Sequence, residues 1–384
     1  MKILIITPGK LPVPATKGGA VENLIEILIK KNEVSKAHKF TIVSIYDYEA
    51  EIKSRQYKYS EFKFIKIDDK NYKFKQAFKF LINRIPNIYI GNEFISRVKK
   101  TVDINSDEYD KIIIENAPHY GMVLKSEKLY LHMHNDFLNK SINKSKLILN
   151  RYKKVFALSN YIKKRIEEID LDYKEVYTLY NGIEIEKFSN IKKSNELREK
   201  MGFKSDDYIY IYTGRIVKEK GVKELIKAFN LLKNKSKLLI VGSLKDGRKI
   251  SKKYIDSIEK ISKNSNIIFT DVVSYDEIPK YIAISNVGIV PSLWEEPFAL
   301  TVIEHMASGN PVIVTESGGM VELVNEKVSI KVKKDKNIIT NLFMAMNEMY
   351  DKSNKYNSKE IIQHSMKYNS NIYYENFKKL IEKE

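Results

Sequence analysis

Two carboxylates, Glu296 and Glu304, flank a mostly apolar stretch that begins at Pro297. The strand-like run "VGIVPS" precedes them, and "LTVIEHMAS" is typical of a helix. Glu296 would then lie before the helix and Glu304 about one turn inside it. An ionised carboxylate only accepts hydrogen bonds, so the pair suits hydroxyl groups, those of a ribose at Glu304 and of another sugar at Glu296. The alternative is that Glu296 caps the helix and Glu304 is a surface residue.

The start of the same predicted helix is suited to an anion. The first backbone N–H groups of a helix have no intrahelical partner, and the helix dipole adds positive charge there. The amides concerned are those of Phe298, Ala299, Leu300 and Thr301. A phosphate group is the ligand that this arrangement favours.

A second set of candidate residues follows the strand-like run "YIYIYTG", which ends at Gly214. Arg215 offers a planar guanidinium group to phosphate oxygens, and Lys220 offers a mobile positive charge. Gly221 allows the chain to turn into the next predicted helix. These residues predict a pyrophosphate site, and the alternative is that they are solvated surface cations.

These candidates require a particular scaffold. Short apolar runs alternate with amphipathic helical segments, and the series restarts at "YIYIYTG" after the polar segment 188–207. This pattern predicts an α/β fold with two Rossmann-like, doubly wound domains over residues 1–187 and 188–364, and a helix within 365–384. Such sheets bind ligands at the carboxyl ends of their strands, so we expect the chemistry in a cleft between the domains.

Composition narrows the classes of function. The 384 residues include no cysteine, which excludes disulfides, thiolate metal sites and cysteine nucleophiles and permits a cytoplasmic location. No apolar run is long enough to span a membrane. The net charge of +18 favours an anionic partner such as a phosphorylated small molecule, a lipid surface or nucleic acid.

Lysine and arginine interleave with tyrosine and phenylalanine over residues 53–80. Such a segment could rest on anionic lipid headgroups or stack on single-stranded nucleic acid. It could also be an ordinary alternating strand followed by an amphipathic helix. No nucleic-acid motif accompanies it, so we expect no nucleic-acid partner.

The segment from Glu296 to Glu304 resembles the E-x7-E donor-site signature of retaining GT-B glycosyltransferases of family 4. Other motifs agree in order and spacing across most of the chain: "TKGGAVENL", "LHMHND", "FALSNYIKKRI", "LYNGIEIEKF", "YTGRIVKEKGVKELIKAF", "LLIVG" and "SGNPVIVTESGGMVELV". Within that family the sequence is most similar to bacterial surface-polysaccharide or spore-coat-type transferases.

The resemblance implies that a nucleotide-sugar donor binds mainly to the second domain. Arg215 and Lys220 would neutralise the leaving diphosphate, Glu304 would hold the ribose, and Glu296 would hold hydroxyls of the transferred sugar. The further donor-binding residues that it implies are Gly18, Gly19, Gly214, Val272, Phe298, Ala299, Leu300 and Thr301. Ala299 stands where glycine is common, which should be tolerated because its amide makes the contact.

The resemblance also implies an acceptor side on the first domain. His134 would lie near the reacting sugar carbon, and His132, Asn135 and Asp136 would lie on the acceptor side. The acceptor would be a glycan or a lipid-linked sugar, transfer would retain the anomeric configuration, and the leaving phosphate would take the acceptor proton. The enzyme would be cytoplasmic or peripheral on the inner face of the plasma membrane, and the C-terminal helix would pack on the first domain.

Two other functions remain open at the level of the sequence, a sugar-nucleotide epimerase and a non-catalytic partner subunit. A metal-dependent GT-A transferase is not favoured: Asp170-Leu-Asp172 matches its metal-binding letters, but the motif follows a helix rather than a strand and lacks a nearby third ligand. No His or carboxylate cluster has metal-ligand spacing, and no G-x-G-x-x-G follows the first strand, so we expect neither a metal nor another cofactor.

Overall fold

The computed structural model describes residues 1–67, 89–104, 107–242, 252–270 and 272–383. Contacts divide the chain into two compact units, Met1–Gly182 with Asn371–Glu384, and Ile183–Ser370. The sequence-based boundaries, 187/188 and 364/365, lie a few residues away from these. The chain passes from one unit to the other twice, after Gly182 and after Ser370. The backbone is hydrogen-bonded between these two points: the Ile183 amide donates to the Tyr368 carbonyl (2.9 Å), and the Ser370 amide donates to the Ile183 carbonyl (2.8 Å).

Within the described residues, the first unit contains a seven-stranded sheet in the order β3-β2-β1-β4-β5-β6-β7. All of its neighbouring strands are parallel. The strands are β1 (Lys2–Ile6), β2 (Lys39–Ile45), β3 (Glu61–Ile65), β4 (Lys111–Glu115), β5 (Leu129–Met133), β6 (Lys154–Ala157) and β7 (Val176–Thr178). The helices are α1 (Ala20–Ser35), α2 (Tyr48–Ser54), α3 (Glu93–Thr101), α4 (Gly121–Leu124), α5 (Ser145–Leu149) and α6 (Asn160–Glu167), with a 3₁₀ turn at Pro118–Tyr120.

The described part of the second unit contains a six-stranded sheet in the order β10-β9-β8-β11-β12-β13, again parallel throughout. Its strands are β8 (Ile209–Thr213), β9 (Lys237–Val241), β10 (Ile267–Phe269), β11 (Val287–Val290), β12 (Val312–Thr315) and β13 (Ser329–Val332). Its helices are α7 (Glu186–Ser189), α8 (Asn195–Lys200), α9 (Val222–Phe229), α10 (Lys252–Ile261), α11 (Ile278–Ala283), α12 (Leu300–Ala307), α13 (Ile338–Asp351) and α14 (Ser358–Ser365). The 3₁₀ turns are Lys218–Lys220, Tyr275–Glu277, Gly318–Leu323, Ser353–Lys355 and Met366–Tyr368.

The last helix, α15 (Ser370–Glu382), belongs to the first unit over most of its length. Its apolar face is buried in the core of that unit together with residues of β1, β2 and α1. Tyr373, Tyr374, Phe377 and Ile381 make this contact. The sequence predicts a C-terminal helix over 365–384, and the structure places α15 inside that range, after α14 ends at Ser365 and a 3₁₀ turn follows.

The strands form where the sequence has unbroken β-branched or aromatic runs. Every residue of β5, β6 and β8 is buried, as expected for parallel strands that helices cover on both faces. In each sheet the order reverses beside one central strand, β1 in the first unit and β8 in the second. Loops that follow neighbouring strands diverge at such a point and leave a crevice. None of the described helices has the length and apolar character needed to cross a bilayer.

Candidate functional site

In the second unit, the loop after β8 lies against the loop after β11. Gly221 has φ +69°, and a Cβ there would lie 2.0 Å from the Pro291 carbonyl oxygen, so the close approach requires glycine. The Leu293 amide donates to the Glu219 carbonyl at 2.8 Å. These backbone contacts bring Lys220 beside Glu296, and their Nζ and Oε1 atoms lie 2.6 Å apart.

Glu296 is 3% exposed and has several partners. Its carboxylate accepts hydrogen bonds from Lys220 and from the Ser292 hydroxyl, and its amide donates to the Ser317 hydroxyl oxygen at 3.2 Å. The Gly319 amide donates to its carbonyl at 2.7 Å. Glu296 is therefore not a helix cap. The residue at the cap position of α12 is Ala299, and the Glu296 carboxylate is bound by Lys220 instead.

Arg215 follows β8 directly and is exposed to solvent. Its guanidinium group forms no ion pair with any described residue. The Tyr212 hydroxyl donates to the Arg215 carbonyl at 2.6 Å, and Gly214 has φ +144°, so the turn that presents this side chain is fixed. Arg215 and Lys220 thus place two cationic side chains on one loop, and Lys220 contacts Glu296, which precedes α12 in the chain.

Ala299 precedes α12 with φ 87° and ψ 78°. This left-handed backbone is costly for a residue with a Cβ, so the alanine at this position is strained rather than freely tolerated. Phe298 is buried against the Tyr368 ring, with ring centroids 6.0 Å apart. Leu300 and Thr301 lie in the first turn of α12. The backbone N–H groups of a first turn have no acceptor within the helix.

Glu304 lies within α12 and is only 4% exposed, so the surface interpretation of this residue is wrong. Burial raises the pKa of its carboxyl group to about 7, although a hydrogen bond from Tyr275 acts in the opposite direction. The Tyr275 hydroxyl donates to Glu304 Oε1 at 2.9 Å. Val272, predicted to lie near the nucleobase, is 69% exposed, and its neighbour Asp271 lies outside the described residues.

In the first unit, Gly18 and Gly19 precede α1 with φ values of +72° and +101°. A Cβ on Gly19 would lie 2.2 Å from Oε2 of Glu22, so the missing side chain leaves room for that carboxylate. Glu22 is 5% exposed, and burial raises the pKa of its carboxyl group.

His132 and His134 both turn towards Glu115 at the end of the neighbouring strand. Oε2 of Glu115 lies 3.1 Å from Nδ1 of His132 and 2.8 Å from Nε2 of His134, and all three side chains are buried. Burial alone would raise the pKa of Glu115, but the imidazole groups, His132 foremost, hold it at about 2. Burial, followed by the neighbouring His132, lowers the pKa of His134.

These three residues also correct one expectation from the sequence, that no His or carboxylate cluster has metal-ligand spacing. A carboxylate oxygen and one nitrogen of each imidazole all lie within 4.8 Å of one another, which is a spacing that a metal ion could bridge. This cluster is not visible in the sequence, because its residues come from two strands. Glu115 ends β4, His132 lies on β5 and His134 directly follows β5. The register Glu115↔His132 brings them together.

Asn135 and Asp136 line a cavity of about 570 Å³ at the carboxyl edge of the first sheet. Aromatic side chains make up much of its wall, including Tyr89, Tyr120 and Phe137, and Glu22 lies at one side. Asp136 also forms an ion pair with Arg165 at 2.7 Å. Two of the three residues predicted for the acceptor side therefore line the same cavity, whereas His132 is fully buried and does not line it.

Several residues of these sites were not nominated from the sequence. Ser292, Ser317 and Glu115 could have been found, because each is a polar residue at or just after the end of a buried strand. Tyr275 carries no such signal, since it reaches its partner only through the tertiary fold. Asp170, the candidate metal ligand of the GT-A alternative, instead forms an ion pair with Lys146 at 2.9 Å.

Comparison with known proteins shows which sequences and structures this chain is similar to. Residues 193–364 match the family "Glycosyl transferases group 1". Spore coat protein SA of Bacillus subtilis is 23% identical over 345 residues, which cover 85% of this chain and 84% of that protein. The lipopolysaccharide 1,2-N-acetylglucosaminetransferase of Salmonella typhimurium is 27% identical over 238 residues, 59% of this chain and 60% of that enzyme.

Solved structures share the fold over the whole chain. Anabaena HepE, crystallised in complex with UDP and glucose, aligns with a TM-score of 0.73 at 18% identity, covering 100% of this chain and 99% of that one. The sucrose-phosphate synthase of Thermosynechococcus elongatus aligns with a TM-score of 0.71 at 16% identity, with coverage of 100% and 98%. Residues 193–364 are thus similar to the glycosyl transferases group 1 family, and the chain is a glycosyltransferase with the GT-B fold.

Proposed function

We propose that the protein transfers a sugar from a nucleotide-sugar donor to a glycan or lipid-linked acceptor during the synthesis of a bacterial surface polysaccharide or glycoconjugate. The observation that carries the proposal is the pairing of Lys220 with the buried Glu296, on a loop that also presents the exposed Arg215 and follows β8, beside which the sheet of the second unit reverses its order. Relatives named for spore coat and lipopolysaccharide synthesis, and a related structure that contains UDP and glucose, support it.

In this proposal the second unit holds the donor. Arg215 and Lys220 neutralise the negative charge that develops on the leaving diphosphate, together with the first-turn amides of α12. Glu296 accepts hydrogen bonds from hydroxyls of the transferred sugar, and Glu304 accepts them from the ribose. Before the donor binds, Lys220 and Ser292 already hold the Glu296 carboxylate in one orientation, which lowers the cost of ordering the site.

The first unit would bind the acceptor in the cavity beside Asn135 and Asp136. Its aromatic walls offer faces for sugar rings, and its amides and carboxylates offer partners for hydroxyl groups. His134 would act from the edge of this region, through a loop whose position Glu115 helps to fix.

We propose further that transfer retains the anomeric configuration and requires no metal. The carboxylates of Glu296 and Glu304 are engaged by Lys220, Ser292 and Tyr275, so neither is presented as a separate nucleophile. The leaving phosphate would take the acceptor proton. Glu115 already accepts hydrogen bonds from both imidazoles, which satisfies that carboxylate without a metal ion.

The proposal is tested by donor turnover. A thermal-shift screen against UDP-, GDP-, ADP- and TDP-sugars selects the donor, because a ligand of the native state raises its melting temperature. Release of the nucleoside diphosphate, with alkyl glycosides as acceptors, should fall at least about 100-fold in R215A and K220A. Lys218→Ala is the matched control, because Lys218 is exposed on the same turn and should leave turnover unchanged.

The same assay distinguishes the competing functions. Activity that survives EDTA, with retained configuration in the proton NMR spectrum of the product, agrees with the proposal. Abolition by EDTA would direct attention to the Glu115 cluster as a metal site. An epimerised donor without transfer would identify an epimerase, and a folded protein that binds donor without turnover would fit a non-catalytic subunit.

We propose finally that the enzyme is cytoplasmic and touches the inner face of the plasma membrane through residues 53–80. The support is the basic and aromatic composition of this segment and a net charge of +18. Part of the segment, residues 68–80, lies outside the described residues.

A further inference from the structure

Tyr275 is an aromatic residue of the second unit that no motif singles out. It opens the 3₁₀ turn Tyr275–Glu277, between β10 and α11, and its side chain is 46% exposed. Its ring meets Phe188 edge to face at a centroid distance of 6.5 Å. The hydroxyl points inward and donates to Glu304 Oε1 at 2.9 Å. One end of the side chain is thus fixed in the protein and the other is open to solvent.

The contact restricts what Glu304 can do. A carboxylate has two oxygens and can rotate about its last side-chain bond, but Glu304 is 4% exposed and one oxygen is already occupied. Apart from Tyr275, no hydroxyl or N–H of a described side chain donates to this carboxylate. The hydrogen bond therefore selects one orientation and leaves Oε2 for a ligand.

We propose that Tyr275 is a positioning residue for nucleotide binding: its hydroxyl holds Glu304 so that the remaining carboxylate oxygen accepts hydrogen bonds from the ribose hydroxyls of the donor. This rests on the proposed function, in which Glu304 binds the ribose. A fixed acceptor discriminates better than a mobile one, because a site built to hydrogen-bond a hydroxyl leaves a buried polar group unpaired when that hydroxyl is missing.

The inference predicts a specific loss in Y275F. Phenylalanine keeps the ring and its contact with Phe188 but removes the hydroxyl, so Glu304 can turn. Affinity for the ribonucleotide should fall about ten-fold, whereas affinity for its 2′-deoxy analogue should change little, because that analogue gains less from the fixed carboxylate. A purely structural role would weaken both nucleotides equally.

The test is isothermal titration of the full-length protein with UDP, GDP and ADP, followed by the 2′-deoxy form of the one that binds most tightly. Y275F, E304Q and the double variant form a cycle, and the double variant should be no worse than E304Q if the two residues act together. Tyr281→Phe on α11 is the matched control and should keep both affinities. Circular dichroism confirms that each variant is folded.

The outcomes separate the inference from the proposed function. A wild-type protein that binds none of the three nucleotides would remove the proposed function and, with it, the inference. If the wild-type protein binds a nucleotide but Y275F lowers the affinities for its ribo and 2′-deoxy forms equally, or lowers neither, the inference would be overturned and the proposed function would stand. Tighter binding in Y275F would also overturn it, because Tyr275 would then be blocking Glu304 rather than orienting it.

Discussion

At the scale of single residues, the proposed donor site contains a strained position. Ala299 has φ 87°, a conformation that costs a residue with a Cβ about 1–2 kcal/mol relative to glycine. It lies immediately before the helix whose first amides are proposed to contact phosphate. Strain of this kind persists where surrounding contacts fix the backbone, here through the buried Phe298 on one side and α12 on the other.

Replacing Ala299 with glycine should therefore stabilise the protein. Relief of strain is partly offset by the greater freedom of glycine in the unfolded chain, so we expect the free energy of unfolding to rise by about 0.5–1 kcal/mol. Chemical denaturation measures this change. Ala307→Gly at the other end of α12 is the control and should destabilise by about 1 kcal/mol. A lower free energy of unfolding in A299G would contradict the claim that the backbone of Ala299 is strained.

Residue patterns predicted the charged residues of the proposed donor site but not the residues that support them. Arg215, Lys220, Glu296 and Glu304 follow strands or open a helix, which are places where the sequence itself points to function. Tyr275 could not be found in this way, because it lies 29 residues from its partner Glu304 and on a different element. Contacts of this kind depend on how helices pack, which local patterns do not encode.

At the scale of elements, long β-branched runs were enough to predict the central strands. The edge strands β7 and β13 were not predicted, because "VYT" and "SIKV" are short. The register between strands was also out of reach. It is the register that places Glu115 opposite His132 and creates a buried carboxylate between two imidazoles.

This strand-end cluster predicts a dependence of stability on pH. Glu115 has a pKa of about 2 in the folded protein, below its ordinary value of 4.5, so its contribution is complete above about pH 5 and disappears as the pH falls towards 2. E115Q should lower the free energy of unfolding by about 3 kcal/mol at pH 7, and the difference from wild type should shrink at pH 4 and pH 3.

Urea denaturation at each pH measures this difference. Glu127→Gln is the matched control, because Glu127 is exposed in the turn before β5. Curves for E115Q and wild type that stay parallel from pH 7 to pH 3 would show that Glu115 is not held as a carboxylate by the histidines.

At the scale of the whole molecule, the two units have separate cores, and the chain returns to the first unit through α15. The sequence predicted two domains, because the strand and helix series starts twice, but it placed the boundaries a few residues away. The charge of +18 is also a property of the whole chain. Part of the positive charge within residues 53–67 interacts with other residues of the protein. Lys63 donates a hydrogen bond to the Tyr109 hydroxyl oxygen at 3.0 Å, and the Lys66 ammonium group lies over the Tyr46 ring.

Membrane contact would involve the exposed Arg55 and Lys58 and, as we propose, the lysines in the later part of the basic segment. Binding to vesicles should increase with the fraction of anionic lipid and weaken with salt, because each lysine near the surface contributes about 1 kcal/mol. Changing Lys73, Lys75 and Lys79 to glutamine should reduce binding in a sedimentation assay. The same change at Lys233, Lys235 and Lys263 removes equal charge from exposed sites of the second unit and should not. Equal losses of vesicle binding in the two triple variants would indicate that the positive charge of the protein attracts anionic lipid without a specific contact surface.

The location of the donor is the central claim, and hydrogen–deuterium exchange with and without the selected nucleotide sugar tests it most directly. Bound donor should slow exchange in three stretches of the second unit, residues 214–221, 292–304 and 317–319, and K220A should abolish this protection while K218A keeps it. Donor binding that leaves these stretches unprotected, or protects only segments elsewhere, would contradict the account.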